Sequence, residues 1–267
     1  MSEGIVGSVG LDDLRADMSG RDLAIIGQVA DLRLMTGRQI EAVHFPAGEH
    51  ETATAAARAA RRCLERLARH RILVRLDRRI GGVRAGSRSF VYALGPVGHR
   101  VLQRSVARPR YREPSVIFVE HTLAVSQLVI DLTAAARRDE LDLLGCQAEP
   151  RCWRQFTSTS GLTVLRPDLF VSLGVGDFEH RWFVEVDRGT EHLPALIRKC
   201  RQYEAYYATG TEQAEHDVFP RPCWIVPDTR RAARLRAAID SDRRLTATLF
   251  VVTTTDAGIE TLKGTDR

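Results

Sequence analysis

Arg166-Pro167-Asp168, then Trp182-Phe183-Val184-Glu185-Val186-Asp187-Arg188-Gly189-Thr190, then Lys199, is the stretch from which the fold is read. Asp168 and the Glu185/Asp187 pair each belong to an apolar run with the character of a buried strand. Carboxylates at the ends of core strands are costly unless they are paired or metal-bound. They therefore mark a site. Residues two apart on a strand share a face, so Glu185 and Asp187 are expected side by side, with Asp168 joining them from the adjoining strand. Hard oxygen ligands that converge suit Mg²⁺ or Mn²⁺.

Lys199 sharpens this reading. The chain has 39 Lys plus Arg, yet its only lysines are Lys199 and Lys263. A G+C-rich coding bias explains the arginines. A lysine kept against that bias, shortly after the acids, suggests a need for a compact and tunable charge.

Around the acids, the periodicity predicts a helix over Val116–Arg138 and strands over Leu143–Glu149, Leu162–Leu173 (with Asp168 inside it) and Arg181–Asp187. A helix over Pro194–Tyr207, a strand over Pro222–Val226, a helix over Arg230–Ile239 and a strand over Leu249–Thr254 follow. The order αβββαβ is that of the PD-(D/E)XK, or restriction-endonuclease-like, core. In that pattern a lysine follows the third-strand acid after one residue, and here Asp187 takes its place. Lys199 on the next helix would be the migrated ammonium. Asp168, Glu185 and Asp187 are thus expected to hold the metal, with Lys199 and Glu120 completing a catalytic set. His121 is a candidate base or phosphate contact, and Glu149 a weaker acid candidate. The opposing reading is a fold without catalysis, its acids neutralised by pairing with Arg188.

The first half carries a different signal. Residues 58–112 hold sixteen Arg against Glu65 and Asp77, a local net of +14 in a chain of net +5. A solvated basic face is the bland account, but charge this confined suits a polyanion such as double-stranded DNA. Ser19 is expected to cap a helix over 20–34, Thr36 one over Arg38–Phe45, and Thr52–Arg69 forms a third. Strands at Ile72–Arg78 and Ser89–Leu94 flank the Gly- and Arg-rich segment 79–88, which reads as a hairpin tip. Three helices and a basic hairpin make a winged helix-turn-helix. Its DNA-binding residues would be Arg58, Arg61, Arg62 and Arg66 on the third helix, with Arg78, Arg79, Arg84 and Arg88 on the wing. A short helix over Pro96–Gln103 closes this domain.

The expected organisation is α+β and two-domain: a flexible segment 1–19, a winged helix-turn-helix 20–104, a basic linker 105–115 and a nuclease-like domain 116–267. Five cysteines without a C-x-x-C spacing read as reduced, packed thiols in the cytoplasm. No signal peptide is evident, and no apolar run approaches membrane-spanning length.

The chain resembles the replication-relaxation family of actinobacterial and Gram-positive plasmids, integrative elements and phages. The matching stretches are Val91-Tyr92-Ala93-Leu94-Gly95-Pro96-Val97-Gly98, His121-Thr122-Leu123-Ala124-Val125, Arg166-Pro167-Asp168, Glu185-Val186-Asp187-Arg188-Gly189-Thr190-Glu191, and Lys199 followed by Tyr203. The resemblance implies a role in the replication or DNA relaxation of a mobile genetic element. Three functions stay open: a DNA-binding protein acting in replication or its regulation, an active Mg²⁺-dependent nickase or endonuclease, and a transcriptional regulator or replication-complex adaptor built on a silent nuclease fold. Double-stranded DNA is the expected partner, with replication proteins or a second copy of the chain in the adaptor case, and no membrane.

Overall fold

The structure, a computed structural model, describes residues 11–80, 89–103, 114–158 and 161–264, with backbone alone at 12, 47, 77–80 and 89. It is a mixed α+β fold, and the chain divides into two compact units, Met1–Ser126 and Gln127–Arg267.

The first unit begins with α1 (Leu11–Ala16) and α2 (Gly20–Leu32). Ser19 caps α2 by accepting the Asp22 amide at 3.1 Å, while Asp22 takes the Ser19 amide at 2.9 Å. β1 (Leu34–Thr36) leads directly into α3 (Gly37–His44), capped by a second reciprocal pair, Thr36 and Gln39. Such boxes satisfy amides that a helix start leaves open. Thr52 caps α4 (Ala53–Arg69), whose Ala56, Ala60, Leu64 and Leu67 face the core. β2 (Leu73–Ile80) and β3 (Ser89–Leu94) follow, then α5 (Pro96–Val101).

The expected hairpin is part of an antiparallel three-stranded sheet in the order β1-β3-β2, with Met35 opposite Tyr92 and Leu76 opposite Val91. β1 is too short to leave a periodic signal. The turn from β3 into α5 depends on close backbone approach. A Cβ on Gly95 would lie 2.2 Å from the Arg71 carbonyl oxygen, and one on Gly98 2.3 Å from that of Ile72. That explains the glycines in the Gly95-Pro96-Val97-Gly98 stretch.

α6 (Val116–Arg137) spans the boundary between the units. Its Val119 and Leu123 share a buried cluster with Leu34, Leu76 and Val91. Gln39 donates to the Leu123 carbonyl at 3.1 Å, and Ser126 to that of Leu34 at 2.7 Å. The division therefore falls inside this helix, not in the segment 105–115, because the helix's first half belongs to the first unit's core. With 22 residues, 18 of them in a stretch of mean hydropathy 1.4, α6 is long and apolar enough by length and composition to cross a membrane. This corrects the expectation that no run is. Its apolar character is used in packing: Val119, Leu132 and Ala135 are fully or almost fully buried in the protein.

The second unit is built on β4 (Asp142–Ala148), β7 (Leu169–Val175), β8 (Phe178–Val186), β9 (Arg221–Val226) and β10 (Val251–Thr254), ordered β10-β9-β8-β7-β4. β4, β7 and β8 pair antiparallel, whereas β8, β9 and β10 run parallel. α7 (Leu193–Tyr207) and α8 (Thr211–His216) connect β8 to β9, α9 (Thr229–Ser241) connects β9 to β10, and α10 (Gly258–Leu262) comes last. Leu196, Cys200, Tyr203 and Tyr206 of α7 pack on Phe170, Phe183 and Trp224 of the sheet.

The strand expected over Leu162–Leu173 is in fact two. β6 (Gly161–Leu165) forms a separate ribbon with β5 (Arg154–Ser158), and β7 starts at Leu169. Pro167 lies at the break and has no N–H to extend a ladder. Asp168 therefore precedes β7 rather than lying inside a strand.

Candidate functional site

Asp168 is fixed at the mouth of the β7/β8 pair. Its amide donates to the Val184 carbonyl at 3.2 Å, and its Oδ2 accepts the Val186 amide at 2.7 Å. Glu185 sits on β8 and is 2 % exposed. Both of its oxygens are engaged from α7, because residues four apart on a helix share a face. Lys199 Nζ pairs with Oε2, and the Tyr203 hydroxyl donates to Oε1 at 2.5 Å. The Glu149 and Asp168 carboxylates come within 4.8 Å of each other, a span that one oxygen-coordinated divalent cation can bridge.

Burial pushes the Glu185 carboxyl up to about 8, and the Asp168 charge adds to it; the Lys199 ammonium and the Tyr203 hydroxyl oppose the rise. Burial pulls Lys199 down, but the charges of Glu185 and Asp168 outweigh it and hold its ammonium above the usual lysine range. Burial and the Glu185 charge raise Tyr203 well above the ordinary phenol. Lys199 and Tyr203 thus keep their protons, and Glu185 is the group whose protonation changes near neutral pH. A buried acid that titrates there is suited to proton transfer. Cys152 and Cys200, packed close by, are pushed up to about 12, mainly by burial, so they remain thiols and not nucleophiles.

Asp187 leaves the expected set. Its Oδ2 pairs with Arg231 Nε at 2.6 Å and its Oδ1 accepts the Gly189 amide at 2.8 Å. Arg231 also donates to the Glu191 carbonyl at 2.5 Å, so this pair fixes the loop after β8 to the start of α9. β8 ends at Val186, and the strand alternation does not carry Asp187 to Glu185's partners. The arginine that holds Asp187 is Arg231, which comes from α9. Glu120 and His121 lie near the start of α6, within the first unit.

Tyr203 was not among the residues expected at this site, and Glu149 was its weaker candidate. Tyr203 was available as the residue four beyond Lys199. Glu149 follows β4, whose antiparallel partner β7 begins just after Asp168.

In the first unit, Arg58, Arg61 and Arg62 are exposed on α4. Arg66 is committed within the protein: its Nη2 pairs with Asp22 Oδ1 at 2.7 Å, an oxygen that also accepts the Cys63 thiol. Burial would raise Asp22, but Arg66, Ser19 and Cys63 together outweigh it and hold the carboxyl below its usual range. Arg61 lines a 740 Å³ groove bounded by α3, α4 and the sheet, together with Arg38 and Arg75. Arg75 lies over the Phe90 ring at 4.8 Å. Of the expected wing residues, Arg84 and Arg88 lie outside the described residues, as do the side chains of Arg78 and Arg79.

No curated protein and no solved structure matches the chain. A family match described as Replication-relaxation covers residues 26–221, from the middle of α2 to the first residue of β9. That span takes in the exposed arginines of α4 and the whole Glu149, Asp168, Glu185, Lys199 and Tyr203 cluster, and it is well over half of the sequence: the chain belongs to the replication-relaxation family.

Proposed function

We propose that the protein binds double-stranded DNA through its first unit and cuts one or both strands at the acidic cluster of its second. Family membership supports a role in replication or relaxation of mobile elements. In this reading the first unit is a winged helix, with Arg58, Arg61 and Arg62 on the recognition helix α4. The second is a PD-(D/E)XK-type domain acting in the cytoplasm. The observation that carries the cleavage reading is the convergence of Lys199 and Tyr203 on buried Glu185, on the strand that also binds Asp168.

Asp168 and Glu149 would hold Mg²⁺ or Mn²⁺, with Glu185 adjoining. The ion would supply an activated water and charge neutralisation at the scissile phosphate. Lys199 keeps a fixed positive charge beside the acids, placed to stabilise the charge developing on a phosphate. Glu185, with its raised carboxyl, is the group that can take up or release a proton. Tyr203 orients it.

A second reading is favoured by one observation: Lys199 and Tyr203 already occupy both Glu185 oxygens, as in a purely structural ion pair. The protein would then be a DNA-binding regulator or adaptor. Supercoiled plasmid incubated with Mg²⁺ or Mn²⁺ separates the two. Nicked or linear product that is lost in Asp168→Asn and Lys199→Met supports cleavage. Plasmid left intact while a gel shift persists supports the regulator.

A further inference from the structure

At the other end of the parallel strands lies a cavity that the acidic cluster does not use. It encloses about 490 Å³ and is lined by Arg181 and Trp182 of β8, Arg221 of β9 and Arg236 of α9, with Glu179 and His180 at its side. Arg181 is four residues from Glu185 on the same strand, roughly 13 Å at the usual strand rise. Three arginines thus line one space, two of them exposed to solvent, and Glu179 is the one carboxylate among the described lining residues.

Their hydrogen bonding is incomplete. Arg181 Nε is buried without a hydrogen-bond acceptor among the described residues. Glu179 Oε1 is 3.7 Å away, beyond hydrogen-bond reach, and already accepts the Ser172 hydroxyl at 2.7 Å. Arg221 gives one N–H to the Thr248 carbonyl at 3.1 Å, and Arg236 gives one to the Val252 carbonyl. A guanidinium has several donors, so each retains others. Like charges gathered around a cavity repel, and a buried donor without an acceptor costs stability. An anion with several acceptor oxygens removes both penalties, and phosphate matches the guanidinium fork.

We propose that this cavity is a phosphate-binding site, distinct from the acidic cluster, that receives a phosphate monoester. Its volume exceeds that of a bare phosphate and lies in the range of small-ligand sites. The phosphate can come from a free nucleotide or from a 5′-phosphorylated end of a DNA strand, since the recognition chemistry is the same. The inference stands independently of cleavage.

The test is calorimetric titration of the full chain carrying Arg61→Ala and Arg62→Ala, which suppresses binding of DNA to α4. The probes are inorganic phosphate, a nucleoside monophosphate, and a short single-stranded oligonucleotide with and without a 5′-phosphate. The expected result is one-to-one binding of at least one phosphomonoester probe, weakened tenfold or more by Arg221→Gln with Arg236→Gln and unchanged by Asp168→Asn. Arg221→Lys, which keeps the charge but not the fork, is expected to fall between the parent and Arg221→Gln. A preference for the 5′-phosphorylated strand identifies a DNA end, and equal or tighter binding of the monophosphate identifies a free nucleotide. Two results would overturn the proposal: no binding of any probe at millimolar concentration, or binding unaffected by the arginine substitutions in variants that keep their thermal transition.

Discussion

Tyr203 donates its hydroxyl hydrogen to Glu185 Oε1 across 2.5 Å, one helical turn beyond the lysine that pairs with the other oxygen of the same carboxyl. A buried acid is thereby satisfied entirely from one helix face. Tyr203→Phe removes the donor and leaves the oxygen buried. An unsatisfied buried acceptor costs about 1–3 kcal/mol. Urea denaturation of Tyr203→Phe is expected to show that loss with an unchanged denaturant slope. A variant as stable as the parent would mean that the hydroxyl does not hold Glu185.

The raised carboxyl of Glu185 sets a pH dependence of stability. Its value of about 8 in the folded chain lies above the ~4.3 of an unfolded glutamate. Between those values the native state binds more protons than the unfolded state, so this group's contribution falls as pH rises. Thermal unfolding from pH 5 to pH 8 is expected to show the parent losing stability relative to Glu185→Gln, which has no proton to release. Parallel curves for the two proteins would refute the raised value. Lys199 adds nothing to this window, because its folded and unfolded values both lie above it.

The helix starts were legible in sequence because capping is local chemistry. Ser19, Thr36 and Thr52 each lie within a few residues of the amides they satisfy. The strand carrying Glu185 was legible because an apolar run between polar residues is also local. The partners of Asp187 and Arg66 were not legible, for the opposite reason. Their partners, Arg231 and Asp22, are 44 residues away in the chain, and one sequence does not reveal such pairings. β1 and the β5–β6 ribbon escaped because strands of three to five residues carry too few alternations to stand out. Glu149 joins Asp168 only through the β4–β7 register, which no local pattern encodes.

The exposed and committed arginines of α4 are expected to separate experimentally. Arg61→Ala with Arg62→Ala removes two exposed cations and leaves the core untouched. DNA affinity should drop, and the dependence of log affinity on log salt should flatten by about 0.9 for each phosphate that is no longer neutralised. Arg66→Ala instead strips buried Asp22 of its guanidinium, at a cost of about 1–3 kcal/mol. The stability that Asp22 contributes is present above its unfolded value near ~3.9 and disappears as pH falls through the lower folded value. Arg66→Ala should therefore be less stable than the parent at neutral pH and converge with it in acid. Equal stability at neutral pH would show that Arg66 is free for DNA.

Asp187 and Arg231 provide the sharpest test of which acids belong to the site. Their side chains are 1 % and 12 % exposed, so the pair is buried. Removing one partner of a buried pair costs about 3–5 kcal/mol, because the other charge is left uncompensated. Arg231→Ala should be strongly destabilised, and part of that loss should be recovered in Arg231→Ala with Asp187→Asn, where no charge is stranded. If cleavage occurs, Asp187→Asn should retain most of it once the protein is folded, whereas Asp168→Asn should lose it. Plasmid nicking at a temperature well below the midpoint of each variant keeps folding out of the comparison. Abolition of cleavage by Asp187→Asn in a folded protein would return Asp187 to the metal site and require its bond to Arg231 to break in the active state.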